Sequence, residues 1–323
     1  MANLSLYDLA VLDRADEYTG LIEDVTTLAP EFSTFSAVKR PGTFYEVVKR
    51  VTLPTAQFRR ANEGVTPSKS VFKKEVKEMF NLDMSLNVDE AIWKADQGRL
   101  GAIWQLEAAG AMRAASILLG NQVYYGTTAD AYGFTGLRSQ YSFTVGAGGT
   151  TNTTSAYLVW MDEKEGVRFD VGMDGQFAIS NPVRQQVADA NNTGKNFFAY
   201  VGNLQAWIGL NVMSNLSVYA ITGIGTTITS PNTNSLTDAK GSQLLSYVPA
   251  ARRNNLRWFL NRTAESMLQQ QRSAINPGIT TYSNPYALQP ADAGGRPAFS
   301  PLPNTMLGYP ITLTDCILNT ESN

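Results

Sequence analysis

The stretch VDEAIWKADQGRLGAIWQLEAAGAMRAASILLGN, running from Val88 to Asn121, decides how the rest of the chain is read. Trp93, Leu100, Trp104, Ala108, Ala111, Ala115 and Leu118 recur at three-, four- and seven-residue steps, while Lys94, Asp96, Arg99, Glu107 and Arg113 mostly fall off that stripe. Roughly thirty helical residues at ~1.5 Å each would span about 45–50 Å, well beyond an ordinary helix. Gly98, Gly101 and Gly110 each cost roughly 1 kcal/mol against Ala in a helix interior. A helix carrying all three either kinks or admits another backbone closely. The spacing predicts a long spine with weak points, and the flanking segments read as parts attached to it.

On the N-terminal side, seven acids (Asp8, Asp13, Asp16, Glu17, Glu23, Asp24 and Glu31) face Arg14 alone between Asp8 and Glu31. A short helix is expected around residues 21–28, stopped by Pro30, in an arm too poor in apolar residues to form its own core. Tyr45–Leu53 and Ser70–Phe80 are strand candidates, joined by PTAQFRRANEGVTPSK, whose Pro54, Gly64 and Pro67 signal a turn. The result is a hairpin that cannot stand alone. From Tyr45 to Phe80 it carries eight basic residues (Lys49, Arg50, Arg59, Arg60, Lys69, Lys73, Lys74, Lys77) against four acids. An acidic arm and a basic hairpin are either two solvated surfaces or two surfaces that pack on neighbouring subunits, where opposite fields set register.

Beyond the spine, Gly146-Ala147-Gly148-Gly149 lacks the Lys-Ser/Thr ending of a phosphate loop and reads as a turn. Ala156–Met161, Val167–Val171 and Gln176–Ser180 are expected as short strands. Residues 195–224 step by twos, with bends at Asn203 and Asn215, as long antiparallel strands with one face covered. Leu236–Val248 and Arg262–Gln271 read as helices, the second capped by Asn261, with a short strand at 256–261 between them. Six of the fourteen prolines then fall between Ser273 and Thr305, and a strand at 308–314 follows.

Composition narrows the function. The 323 residues are 43% hydrophobic, enough for a core, but only 17% charged, below the usual ~25%. Such a surface suits a chain that meets neighbours over much of its area. A net charge of −2 argues against a dedicated nucleic-acid binder. Histidine is absent, which removes the commonest general base and zinc ligand. Cys316 is the single cysteine and reads as inert core, in a chain that folds in a reducing compartment. No apolar run reaches membrane-spanning length, and MANLSLYDLAVLDR does not resemble an export signal. Asp162-Glu163-Lys164-Glu165 is expected at a hairpin tip, and Asp170 and Asp174, flanking Gly172, in a turn rather than a cation site. No catalytic, cofactor-binding or metal-binding constellation emerges, so an enzyme is not expected and no cofactor is implied.

Four segments carry a family resemblance. LPTAQFRRANEGV (53–65) looks like the extended-loop signature of one branch of podophage and siphophage capsid proteins. GFTGL (133–137) resembles the segment after their spine. WIGLNV (207–212) with VYAI (218–221) resembles their strand pair. FLNRT (259–263) followed by GYPITLTDCIL (308–318) is similar to their helix start and chain ending. Together these identify the chain as resembling the tailed-bacteriophage major capsid proteins, whose fold is shared with the herpesvirus capsid floor and with encapsulins.

The resemblance implies an α+β subunit with an N-terminal arm (1–43), an extended β-hairpin loop (44–87), a peripheral domain with the spine helix and long strands (88–230), and an axial domain (231–323). The long strands precede the axial segment, a permuted order relative to the commoner arrangement. Copies would assemble as pentamers and hexamers into an icosahedral virion shell around double-stranded DNA. Assembly would occur in the host bacterial cytoplasm, without a membrane, alongside scaffold, portal and a decoration or cement protein. Phe58, Arg59, Arg60, Asn62, Glu63, Lys73 and Lys74 of the loop, and Asp13, Asp16, Glu17, Glu23 and Asp24 of the arm, would make inter-subunit contacts. Gly98, Gly101 and Gly110 would be the points where the spine flexes. An encapsulin-type compartment and a β-rich oligomeric tail or surface binding protein are the alternatives.

Overall fold

The computed structural model describes residues 27–95, 100–173, 179–189, 194–227, 233–275 and 302–322, with backbone only at 95, 100–103 and 273–275. The described chain begins just before Pro30, which stands as the N-cap of a short helix and whose carbonyl accepts the Ser33 and Thr34 hydroxyls. This helix, α1 (Glu31–Thr34), leads to β1 (Ala37–Lys39). Residues 21–26 of the helix expected before Pro30 lie outside the described residues.

β2 (Phe44–Thr52) and β3 (Val71–Glu78) pair antiparallel from Phe44↔Glu78 to Thr52↔Val71, as the hairpin pattern predicts. The next segment, FNLDMSLNVD, alternates apolar and polar residues and forms β4 (Phe80–Asp89). The helix therefore begins after the expected Val88. Asp89 accepts the Ala91 N–H at 2.8 Å and so caps α2 (Glu90–Ala95). The spine helix α3 (Leu100–Tyr125) is 26 residues long, about 39 Å, and runs four residues past its expected end.

The long β region divides between two sheets. β5 (Phe143–Gly146), β6 (Thr153–Trp160), β7 (Val167–Val171), β8 (Val183–Ala188), β9 (Asn196–Val212) and β10 (Val218–Gly225) follow the spine. β9 runs straight through Asn203, because β4 pairs with it from Asp89↔Ala199 to Phe80↔Ile208; the expected bend there does not occur. β7 and β8 share its other edge, giving a first sheet ordered β1-β7-β9-β4 with β8 beside β9. At Asn215 the chain does turn, with Ser214 accepting the Leu216 N–H.

After α4 (Asp238–Ser246) come β11 (Leu256–Leu260), α5 (Arg262–Ile275), β12 (Thr305–Met306) and β13 (Tyr309–Leu313). Asn261 caps α5 through the Ala264 N–H at 2.9 Å, as its position before the helix predicts. The second sheet is ordered β12-β13-β11-β6-β10-β5. It thus joins strands from both sides of the boundary expected near residue 230. The acidic turn 162–165 passes between the two sheets instead of tipping a hairpin.

All eight residues of β6 are buried. Tyr157 and Val159 face a core shared with the spine's Leu119, Val123 and Tyr124 and with the first sheet's Phe169 and Leu210. Ala156, Leu158 and Trp160 face a core closed by Leu244 of α4 and by Ala264 and Leu268 of α5. A strand covered on both faces reads as a continuous apolar run, which is how residues 156–160 look in the sequence, while Thr153, Thr154 and Ser155 before them are buried polar residues.

Candidate assembly interface

The hairpin is the least buried part of the fold. Of the twenty-one large apolar side chains exposed among the described residues, nine lie between Phe44 and Val76. Phe44, Val48, Phe72 and Val76 share one face of the ribbon, as their register pairs Val48↔Lys74, Arg50↔Phe72 and Glu46↔Val76 require. A two-stranded ribbon with its apolar face in water gains little from folding alone, so this exposure marks a surface meant to be covered.

At the tip, Phe58 is fully exposed. Arg59 and Arg60 fold the tip on itself: Arg59 Nη1 donates to the Glu63 carbonyl at 2.9 Å, and the Glu63 N–H donates to the Arg60 carbonyl at 3.3 Å. Asn62 has φ of 68°, a left-handed conformation that asparagine tolerates better than most residues. Ser68 closes the neck, its hydroxyl accepting the Thr55 N–H at 2.8 Å and donating to the Thr55 carbonyl at 3.1 Å.

Charges along the stem pair within the ribbon. Lys74 meets Glu46 at 2.8 Å, and Glu75 sits among Lys49 at 2.5 Å, Lys77 at 3.4 Å and Lys73 at 3.9 Å. The Lys49 hydrogen bond leads in holding the Glu75 carboxyl below its usual range, while burial lowers the Lys77 ammonium. The expected contact residues Phe58, Arg59, Arg60, Asn62, Glu63, Lys73 and Lys74 therefore occupy one protruding element. The arm residues Asp13, Asp16, Glu17, Glu23 and Asp24 lie outside the described residues.

The hairpin base is built tightly. Met79 N–H donates to the Thr43 carbonyl at 2.8 Å, and Gly209 of β9 lies so close that a Cβ there would stand 2.4 Å from the Glu78 carbonyl oxygen. Tyr45 of β2 turns its hydroxyl onto Asp170 of β7, and burial followed by that hydrogen bond pushes the phenol up to about 12. Asp170 is thus a strand residue in a buried network, not part of the turn expected for it; Asp174 lies outside the described residues. No local pattern announces this role, because its partner Tyr45 is 125 positions away.

The spine buries Trp104, Ala111, Ala115, Leu119, Val123 and Tyr124, while Leu118, expected inward, is exposed. Gly110 is exposed, and a Cβ on it would meet nothing within 4 Å. Gly101 lies in the first turn of α3, and Gly98 falls outside the described residues. The close approach expected of a helix glycine occurs at Gly120, where a Cβ would stand 2.4 Å from Cys316 Sγ. Burial pushes the Cys316 thiol up to about 12, as for an inert core cysteine. Among the described residues, no group of three or more carboxylates and thiols converges as a metal site, and no helix is long and apolar enough to cross a membrane.

The family model "Major capsid protein GP7" matches residues 40–323. No curated protein matches the chain. Among solved structures, the bacteriophage Epsilon15 chain superposes with a TM-score of 0.68 at 19% identity, covering 100% of this chain and 97% of that one. The bacteriophage JBD30 capsid chain gives 0.52 at 8% identity, covering 98% and 99%. An encapsulin from Synechococcus elongatus reaches only 0.41 over 68% of this chain, too low to carry an argument. The mixed fold is that of phage capsid subunits, and with the family model matching residues 40–323, this chain belongs to the major capsid protein GP7 family and is a structural, shell-forming subunit of a phage capsid.

Proposed function

We propose that the protein closes into an icosahedral shell of pentamers and hexamers around double-stranded DNA, each copy laying its hairpin across a neighbour. The observation that carries this reading is the protruding ribbon, with nine large apolar side chains in water at Phe44–Val76 and its charges paired internally. The acidic arm, with seven acids between Asp8 and Glu31, supplies a complementary field for the basic loop of an adjacent copy. A net charge of −2 suits a wall that contains packed DNA without gripping it. Scaffold and portal proteins direct the first stages in the host bacterial cytoplasm, and a decoration protein covers the finished surface. The spine bends at Gly98, Gly101 and Gly110 in the immature shell and straightens on expansion.

Negative-stain microscopy of the purified protein tests the reading. Closed shells of uniform diameter are expected, containing nucleic acid when isolated from infected cells. Small symmetric oligomers without closed shells would overturn it, and shells filled with a cargo protein instead of DNA would overturn the genome-container part.

A further inference from the structure

Where the hairpin meets the body, the fold seals a polar cluster drawn from four segments of the chain. Asp170, in β7, is fully buried. Its Oδ1 accepts Arg168 Nε at 3.0 Å and faces Arg40 Nε at 3.8 Å. Its Oδ2 accepts the Tyr45 hydroxyl and, at 2.7 Å, Asn211 Nδ2. Arg168 Nη2 also donates to the Tyr45 oxygen at 3.3 Å, and the Arg40 guanidinium lies 4.9 Å over the Tyr45 ring. A buried carboxylate is tolerable only with donors on both oxygens, and here they come from β2, from β7 itself and from β9, while Arg40 of the link after β1 adds an opposite charge without a hydrogen bond.

One contact of this cluster and one beside it hold the ribbon. Tyr45 ties β2 to Asp170, and its register partner Lys77 ties β3 to the Val212 carbonyl at 2.9 Å. Farther out, the ion pairs Lys49–Glu75 and Lys74–Glu46 stay within the ribbon. Two ties at one level define a hinge line, and the stiffer of them is the one embedded in a buried network.

We propose that Asp170 is a positioning residue that sets the angle at which the hairpin leaves the body, and that this angle governs the curvature with which copies close into a shell. The second clause rests on the reading that the hairpin lies across a neighbour; the first does not. Removing the Tyr45 hydroxyl loosens the ribbon at its base without leaving a hole in the core, whereas Asp170→Asn risks misfolding by stranding two guanidinium groups.

The experiment uses Tyr45→Phe, with Glu46→Gln as a control that breaks only a pair internal to the ribbon. Hydrogen–deuterium exchange on unassembled protein should show amides at 44–48 and 74–79 exchanging roughly tenfold faster in Tyr45→Phe, as expected for losing one hydrogen bond of about 1.4 kcal/mol, with β6 and β10 unchanged. Glu46→Gln should match the parent at the base. Assembled Tyr45→Phe particles should vary in diameter or fail to close. Parent-like exchange at the base would overturn the positioning role. Faster exchange with shells of normal, uniform size would overturn the link to curvature. If the parent protein forms no shells, the assembly reading fails, while the exchange result still decides the hinge.

Discussion

Glu31 is a carboxylic acid sealed against the spine helix, 1% exposed, with the Thr314 hydroxyl donating to its Oε1. Burial raises its pKa above 4.5, against hydrogen bonds led by Thr314, and the negative Asp315 adds to the rise. The groups facing it are Tyr124 on α3 and Thr314, Asp315 and Cys316 after β13. The nearby cation, Arg262, pairs instead with Asp315 at 2.5 Å. A carboxyl whose folded pKa is raised stabilises fully below its unfolded value near 4.5, and that contribution is lost as pH rises through the folded pKa. Glu31→Gln should therefore be more stable than the parent near neutral pH, with a higher Tm, and should flatten the decline in Tm that the parent shows as pH rises above 4.5. Asp315 acts in the opposite window: burial pushes it up, but Arg262 and the Leu28 N–H together hold it below 3.8, so its contribution fades only in acid. Thermal melts across this range check the expectation, and a Glu31→Gln profile parallel to the parent would remove it. Beside Glu31, Gly120→Ala should cost about 1–3 kcal/mol by overpacking against Cys316, despite the better helix propensity of Ala.

The spine shows how far an element can be read from its pattern. Periodicity places Trp104, Ala111 and Ala115 inward, and they are buried. Past Ala115 the choice between a step of three and a step of four separates Leu118 from Leu119. The structure takes the step of four, which carries the stripe on to Val123 and into the core with Phe169. The helix start was hidden because β4 alternates apolar and polar residues right up to its cap, Asp89. β8 carries little signal in the sequence because VRQQVA is mostly exposed and polar, and β5 because it is a four-residue edge strand. The Asp170 network was out of reach, since it joins residues that only the fold brings together. At the same scale, Gly110→Ala should stabilise the subunit by up to about 1 kcal/mol, since Ala is the better helix former and the added methyl meets open space. If the spine must bend there, the same variant expands more slowly, which small-angle scattering of maturing particles would follow; unchanged expansion would clear Gly110 as a flex point. On the hairpin, Phe58→Ser should leave subunit stability within about 0.5 kcal/mol while sharply lowering shell yield, read by sedimentation against thermal melts.

For the whole molecule, the two sheets, the spine and the second-sheet helices form a body with cores on both faces of β6, and the ribbon stands off it at the Asp170 network. The low charge content, 17%, fits a subunit whose surface is largely given to neighbours, and the family match places it in a capsid shell. If opposite fields on arm and loop guide the register of assembly, raising salt from about 50 mM to 500 mM should slow shell formation several-fold, because the Debye length falls from roughly 14 Å to 4 Å. Light-scattering time courses would measure this, and a rate independent of salt would assign register to apolar contacts alone. The most direct measurement is zero-length carbodiimide cross-linking of shells assembled from equal amounts of 14N- and 15N-labelled protein. The account expects mixed-isotope cross-links joining Lys73 or Lys74 to Asp13, Asp16, Glu17, Glu23 or Asp24. Cross-links from these lysines confined to single-isotope pairs would contradict it, because the hairpin would then fold back on its own subunit.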